Sequence, residues 1–168
     1  MSRSPPLVFP TSLEPFGAAR YLLHPGDVAC GTRDDHFETL LGSCVAVVLT
    51  DPQRTVGAMC HIVHVGKGRD DAARDGSYGD AALDLMYALL RGRGIEPRLC
   101  DAYVYGGGNM FPDLFAEGHV GSNNARWTLD ALRQDGVRVL QQDLGGSRYR
   151  KLSWIVGAEA PRVITVEV

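Results

Sequence analysis

Two apolar, β-branched segments separated by a turn constrain the fold of this chain more than any other feature. Residues 45–50 and 55–65 have the composition of strands, and residues 51–54, Asp-Pro-Gln-Arg, are typical of a turn. Together they predict a β-hairpin with a four-residue loop, in which Thr50 pairs with Thr55. Continued outward, this register places Cys44 directly opposite His61.

Cys44 and His61 are the candidate nucleophile and base. Opposed residues share a face of the sheet, with Cβ atoms about 4.5 to 5.5 Å apart, whereas a slip of one residue would place them on opposite faces. Gly42 and Ser43 before the thiol leave backbone N–H groups open to a bound oxyanion. A neighbouring imidazolium would lower the thiol pKa from its ordinary value of about 8.5. The residues alone leave a buried structural cysteine as the alternative.

The other cysteines predict neither disulfides nor a metal site. Cys30, Cys60 and Cys100 are isolated, and four thiols in 168 residues are too few for a disulfide scaffold, so all four are predicted to be reduced. Cys60, His61 and His64 are close in sequence, but alternation along a strand sends the first two to opposite faces. A metal centre is therefore not predicted.

Charge and hydropathy exclude several functional classes. The net charge of −3 argues against a general nucleic-acid binder. No stretch approaches the roughly 20 apolar residues needed to span a membrane, and the prolines near the N-terminus interrupt any signal peptide. The sequence therefore predicts a cytoplasmic protein without membrane insertion.

The chain is predicted to form one domain, residues 21–168, preceded by a flexible N-terminal arm, residues 1–20, that is rich in proline and serine. Apolar spacing predicts one helix from residue 79 or 80 to residues 92–94, and a second that is capped by Ser122, Asn123 or Asn124 and ends at Gly136. About eight strands account for much of the remainder. This pattern indicates an α+β domain in which two main helices cover layered, largely antiparallel sheet.

Five motifs in a fixed order resemble the CheD family of chemoreceptor glutamine deamidases. They cover roughly residues 20–168 and are Gly42-Ser43-Cys44-Val45, His61 seventeen residues after the cysteine, Tyr-Gly-Gly-Gly-Asn-Met-Phe at 105–111, Gly-Ser-Asn-Asn at 121–124, and Asp-Leu-Gly-Gly-Ser-Arg at 143–148.

The resemblance implies a three-layered α/β/β sandwich with a mixed sheet, and a cysteine hydrolase that converts selected Gln to Glu on methyl-accepting chemotaxis receptors. It also implies that Cys44 is the nucleophile, that His61 is the base and acid, and that Thr39 is the third catalytic residue. The thioester chemistry requires no cofactor and would also accept a glutamate methyl ester.

Two other functions stay open at this point. The protein could be a non-catalytic chemotaxis adaptor that binds a CheC-type phosphatase, which the resemblance implies as a partner. It could also be a different Cys-His acyl hydrolase, such as a peptidase or acyltransferase. An intact Cys44 and His61 count against the adaptor, and the absence of any further peptidase motif counts against the second alternative.

Overall fold

The computed structural model describes residues 12–13, 17–65, 75–116 and 118–167. Within them lie ten strands, two α-helices and a short 3-10 turn at Pro97–Leu99. The strands are β1 (Ser12–Leu13), β2 (Ala19–Leu23), β3 (Val28–Thr32), β4 (His36–Leu41), β5 (Val45–Thr50), β6 (Val56–Ile62), β7 (Asp101–Gly106), β8 (Arg138–Leu144), β9 (Tyr149–Ile155) and β10 (Arg162–Val166), and the helices are α1 (Gly79–Gly92) and α2 (Val120–Gln134).

The strands form two five-stranded mixed sheets. The outer sheet has the order β1-β2-β4-β9-β10, and the central sheet has the order β3-β6-β5-β7-β8. Most neighbours are antiparallel, but β2 pairs with β4, and β7 with β8, in parallel. The mixed, largely antiparallel sheet predicted from the sequence is therefore confirmed.

The middle strands of the central sheet, β6, β5 and β7, are buried on both faces because they are apolar on both, whereas β8 at the edge is mostly exposed. From the β5–β6 hairpin, Val47 and Cys60 point toward the helices, whereas Val48 and Met59 point toward the outer sheet. Each face has its own apolar core, so the layers run helices, central sheet, outer sheet. The structure thus has the predicted three-layered α/β/β arrangement.

Both predicted helices are present, with one correction at the start of α2. The first helix begins at Gly79 and ends at Gly92, within the predicted limits. The second begins at Val120, earlier than predicted, and its N-cap is His119, whose Nδ1 accepts a hydrogen bond from the Ser122 N–H. No helix in the described ranges is long and apolar enough to cross a bilayer.

Two of the ten strands, β1 and β4, were not among the eight predicted from the sequence. Strand β4 alternates in the expected way, with Phe37, Thr39 and Leu41 buried in the direction of the central sheet. Most of the predicted arm, residues 1–20, lies outside the described residues, and its described part holds β1 and the first two residues of β2.

The hairpin pairs in a different register from the one predicted. Thr50 lies opposite Gly57 rather than Thr55, and His61 lies opposite Ala46 rather than Cys44. The loop between the paired residues is longer because the Asp51 side chain accepts hydrogen bonds from the backbone N–H groups of Thr55 and Val56. Neither residue therefore pairs with β5, and the β5–β6 ladder begins at Gly57. The predicted register is wrong by two residues, and side chains alternate between the faces of a sheet with a period of two. The prediction that Cys44 and His61 share a face is therefore unaffected by the shift.

Candidate functional site

Cys44 lies in the short connection between β4 and β5, one residue before β5 begins. Its backbone carbonyl accepts a hydrogen bond from the Gly107 N–H at 2.8 Å, and the Gly42 carbonyl accepts one from the Gly108 N–H at 3.0 Å. The connection is therefore fixed by the segment that follows β7. The Cys44 side chain is only partly buried.

Glycine at position 106 is required for this arrangement. Gly106 has a φ of +112°, and a Cβ there would lie 2.2 Å from the Cys44 carbonyl oxygen. The glycine triplet at 106–108 therefore allows one backbone to approach another.

His61 comes from β6 in the central sheet and is 2% exposed. Its Nδ1 lies 2.8 Å from the hydroxyl oxygen of Thr39, which comes from β4 in the outer sheet. The same hydroxyl donates a 2.8 Å hydrogen bond to the Leu23 carbonyl. The contact between the two catalytic candidates His61 and Thr39 thus crosses the interface between the sheets.

These two hydrogen bonds determine which ring nitrogen of neutral His61 carries the proton. Thr39 has a single hydroxyl proton, which it donates to the Leu23 carbonyl. Its oxygen can therefore only accept from the imidazole, so Nδ1 of His61 is protonated. The lone pair that can accept a proton is left on Nε2.

Burial favours the neutral form of both Cys44 and His61. It raises the pKa of the Cys44 thiol. Burial also lowers the pKa of His61 to about 4, although the carboxylate of Asp27 acts in the opposite direction. The direction for Cys44 is opposite to the lowered thiol pKa expected from the sequence, because burial of the thiol disfavours the charged thiolate.

Cys44 and His61 line the same cavity, which has a volume of about 520 Å³. The described residues around it include no Asp, Glu, Lys or Arg. Three large apolar side chains of its lining, Phe111, Phe115 and Val120, are 63%, 52% and 59% exposed. The described part of the lining thus carries no carboxylate, ammonium or guanidinium group and has an apolar mouth, which suits a neutral side chain carried by a larger molecule.

Asn124 occupies a place that the sequence did not predict. It was a candidate helix cap, but it lies inside α2, is 1% exposed, and donates to the carbonyls of Ser43 and Val63. The Ser-Asn-Asn cluster suggested a helix start, and no local signal indicates contacts 61 and 81 residues away. Over the described ranges, no group of three or more His, Cys, Asp or Glu side chains could hold a metal ion.

Comparison with known proteins places the chain in a family. The family model described as "CheD chemotactic sensory transduction" matches residues 64–159. A Pseudomonas fluorescens protein named "Probable chemoreceptor glutamine deamidase CheD" is 37% identical, over 83% of this chain and 80% of its own. A Methanococcus vannielii protein of the same name is 34% identical, over 74% of this chain and 81% of its own.

A solved structure of a Neisseria meningitidis protein assigned to DUF152 has a TM-score of 0.48 and 14% identity, and the match covers 78% of this chain and 65% of that one. The family assignment therefore rests on the sequence relatives, which share a third or more of their residues over most of the chain. By these matches, the chain belongs to the CheD family.

Proposed function

We propose that this protein is a glutamine deamidase that acts on chemoreceptors through a cysteine thioester. The observation that carries the mechanism is the bond between Thr39 and His61, because it leaves Nε2 of a neutral imidazole free to accept a proton at the cavity that Cys44 lines. The names of the relatives supply the substrate class. A cavity whose described lining has no Asp, Glu, Lys or Arg suits a carboxamide, and its apolar mouth suits the surface of a protein helix.

The proposed reaction has two halves. In the first, His61 takes the Cys44 proton as the sulfur attacks the carboxamide carbon, and the C–N bond breaks as the same proton passes to the departing ammonia. In the second, His61 deprotonates a water molecule that attacks the thioester, the C–S bond breaks, and the proton returns to the thiolate. The products are glutamate and ammonia.

Backbone groups supply a place for the oxyanion of both tetrahedral intermediates. Outside the helices and strand ladders of the described residues, the N–H groups of Ser43 and Cys44 donate no backbone hydrogen bond. Donors fixed before the reaction stabilise developing negative charge without reorganisation. Thr39 acts on His61, whose ring it orients and whose tautomer it selects.

The lowered pKa of His61 makes the imidazole a weak base toward the thiol, so in this cycle the thiol proton moves to Nε2 only as the bond between sulfur and the carboxamide carbon forms. A neutral imidazole can accept the thiol proton at any pH well above 4, so the base is available near neutrality. Once protonated in a buried position it is a strong acid, which favours transfer of the proton to the leaving nitrogen.

The test is conversion of Gln to Glu on purified cytoplasmic fragments of the host's chemoreceptors, followed by mass spectrometry. Wild-type protein should deamidate fixed sites, and Cys44→Ala should abolish conversion while retaining binding to the fragment. Cys30→Ala is the matched control, because Cys30 is another partly buried thiol and lies outside the cavity lining. A wild-type protein that binds the fragment and converts no glutamine would contradict the proposal and favour the adaptor function.

A further inference from the structure

Asn124 connects the two segments that carry the proposed nucleophile and base. Its Nδ2 donates to the Ser43 carbonyl at 3.1 Å and to the Val63 carbonyl at 3.1 Å. Ser43 immediately precedes Cys44, and Val63 is the second residue after His61. One planar amide group therefore uses both of its protons to hold these two backbones at a fixed separation.

The position of Asn124 depends on the close approach of α2 to the glycine loop after β7. A Cβ on Gly121 would lie 2.2 Å from the Gly108 carbonyl oxygen, so glycine lets the first turn of the helix rest on that loop. The same loop donates to the carbonyls of Gly42 and Cys44. With Asn124, three successive carbonyls around the nucleophile, at 42, 43 and 44, accept hydrogen bonds from this one part of the chain.

Burial makes these bonds difficult to replace. Asn124 is 1% exposed, its two hydrogen bonds are partly buried, and a partly buried carbonyl that loses its donor is costly unless water reaches it. Loss of the amide would therefore be relieved by movement of the Ser43 and Val63 segments, and such movement changes the approach of the Cys44 sulfur to Nε2 of His61.

We propose that Asn124 is a positioning residue that sets the separation of Cys44 and His61; this rests on the proposed function, in which those two residues act together. Asn124 lies outside the residues that line the cavity, so its loss should reduce turnover and leave substrate binding largely unchanged. Because the Cys44 thiol transfers its proton to His61, loss of the Asn124 amide should also alter the pH dependence of Cys44 reactivity.

The experiment compares Asn124→Asp with Asn123→Asp. Both substitutions keep the size of the side chain and add one negative charge at adjacent positions of α2, but only the first removes an amide that bonds the carbonyls of the partly buried residues Ser43 and Val63. Asn123 makes one long, exposed contact, at 3.4 Å, to the Gly118 carbonyl. We expect kcat for deamidation to fall about ten- to a hundredfold in Asn124→Asp with KM within about twofold of wild type. Asn123→Asp should behave as wild type.

Two further variants separate positioning from general loss of packing. Asn124→Ser, which retains one donor and carries no charge, decides the matter if the aspartate variant does not fold, and its kcat should also fall. Thr128→Val removes a buried hydroxyl on the same helix face that bonds only within α2, to the Asn124 carbonyl at 2.8 Å. It should lower the unfolding temperature without changing kcat. An equal loss of kcat in Thr128→Val would overturn the positioning role.

The rate of Cys44 alkylation by iodoacetamide, measured from pH 5 to pH 10, tests the inference independently of deamidation. The profile should shift in Asn124→Asp and Asn124→Ser, and should match wild type in Asn123→Asp and Thr128→Val. Folded Asn124 variants with the kcat and alkylation profile of wild type would refute the inference while leaving the proposed function intact. Absence of deamidation by wild type would refute the proposed function, and the alkylation profiles would still decide on Asn124.

Discussion

The two ends of the β5–β6 hairpin are built in different ways. At the closed end, the Asp51 carboxylate accepts from the backbone of Thr55 and Val56 and from the Thr55 hydroxyl, at 2.7 to 2.9 Å. At the open end, His61 and the residues beside Cys44 are held by Thr39 and by Asn124, from other elements. The Asp51 contacts lie within six residues, although Arg54 in the same turn also donates to Asp101 at 2.8 Å, whereas the contacts of Thr39 and Asn124 join residues 22 and 81 positions apart. Substitutions at the closed end should change stability, and those at the open end should change chemistry.

The largest effect is expected at the open end. His61→Asn removes the proposed general base and acid, so kcat for deamidation should fall by roughly 10²- to 10⁴-fold. Alkylation of Cys44 near neutral pH should slow as well, because the thiol loses its proton acceptor. Steady-state kinetics and peptide mapping after labelling measure the two effects. An unchanged labelling rate would show that His61 is not the partner of Cys44.

The second largest effect is expected at the closed end, where a substitution should lower the stability of the fold. Asp51→Ala leaves the buried Val56 N–H and the partly buried Thr55 N–H without their acceptor and should lower the free energy of unfolding by about 2 to 3 kcal/mol, measured by urea denaturation. Turnover per folded molecule should not change. Burial acts to raise the pKa of the Asp51 carboxyl, but hydrogen bonds from Thr55 and Val56 outweigh it and leave that pKa lowered. A large fall in kcat for this variant would contradict the division between the two ends.

Acid should act on the open end through His61. The pKa of His61 is about 4 in the folded protein and about 6.5 in the unfolded chain, so the unfolded state binds the proton more tightly. The contribution of His61 to the free energy of unfolding is therefore fully present above pH 6.5 and is lost as the pH falls toward 4. Between pH 7 and pH 5 the free energy of unfolding should fall by about 2 kcal/mol. Urea unfolding at both pH values should show this loss in wild type and a smaller loss in His61→Asn. Equal losses would place the acid sensitivity elsewhere, and His24 and Asp27 are the titratable neighbours to examine.

The smallest effect is expected at Thr39. Thr39→Val removes one hydrogen bond to His61, worth about 1 kcal/mol, so kcat should fall by roughly fivefold to tenfold. Thr39→Ser, which keeps the hydroxyl, should restore most of the rate. Nitrogen-15 NMR of the imidazole should show the proton on Nδ1 in wild type and in Thr39→Ser. A wild-type ring protonated on Nε2 would refute the assigned tautomer.

The same contrast between local and distant contacts decides what the sequence could predict. The faces of Cys44 and His61 followed from strand periodicity, although the register was wrong by two residues, because alternation has a period of two. The error came from the Asp51 side chain, whose hydrogen bonds lengthen the loop in a way that residue types alone do not indicate. Both helices and their packing on layered sheet were predicted because apolar spacing reports burial directly, whereas the three-layered α/β/β order was implied by the family resemblance.

Contacts between distant segments were not predictable from a single sequence. Strand β4 was missed although Phe37, Thr39 and Leu41 alternate, because the run is short and carries His36 and Glu38 on its other face. Thr39 was named by family resemblance, and only the pairing of the sheets brings it to His61. The two long-range bonds of Asn124 have no local signature, and its surroundings in the sequence indicated a cap.

The Thr39–His61 bond joins one sheet to the other, so turnover depends on how the layers are packed. In a compact, partly denatured state, each sheet could keep its ladders of backbone hydrogen bonds while the interface between them loosens. Far-ultraviolet circular dichroism would then remain close to native while the imidazole loses its fixed tautomer. Enzymatic activity should therefore disappear at a lower denaturant concentration than secondary structure, and it would serve as a sensitive reporter of loosened packing in this fold.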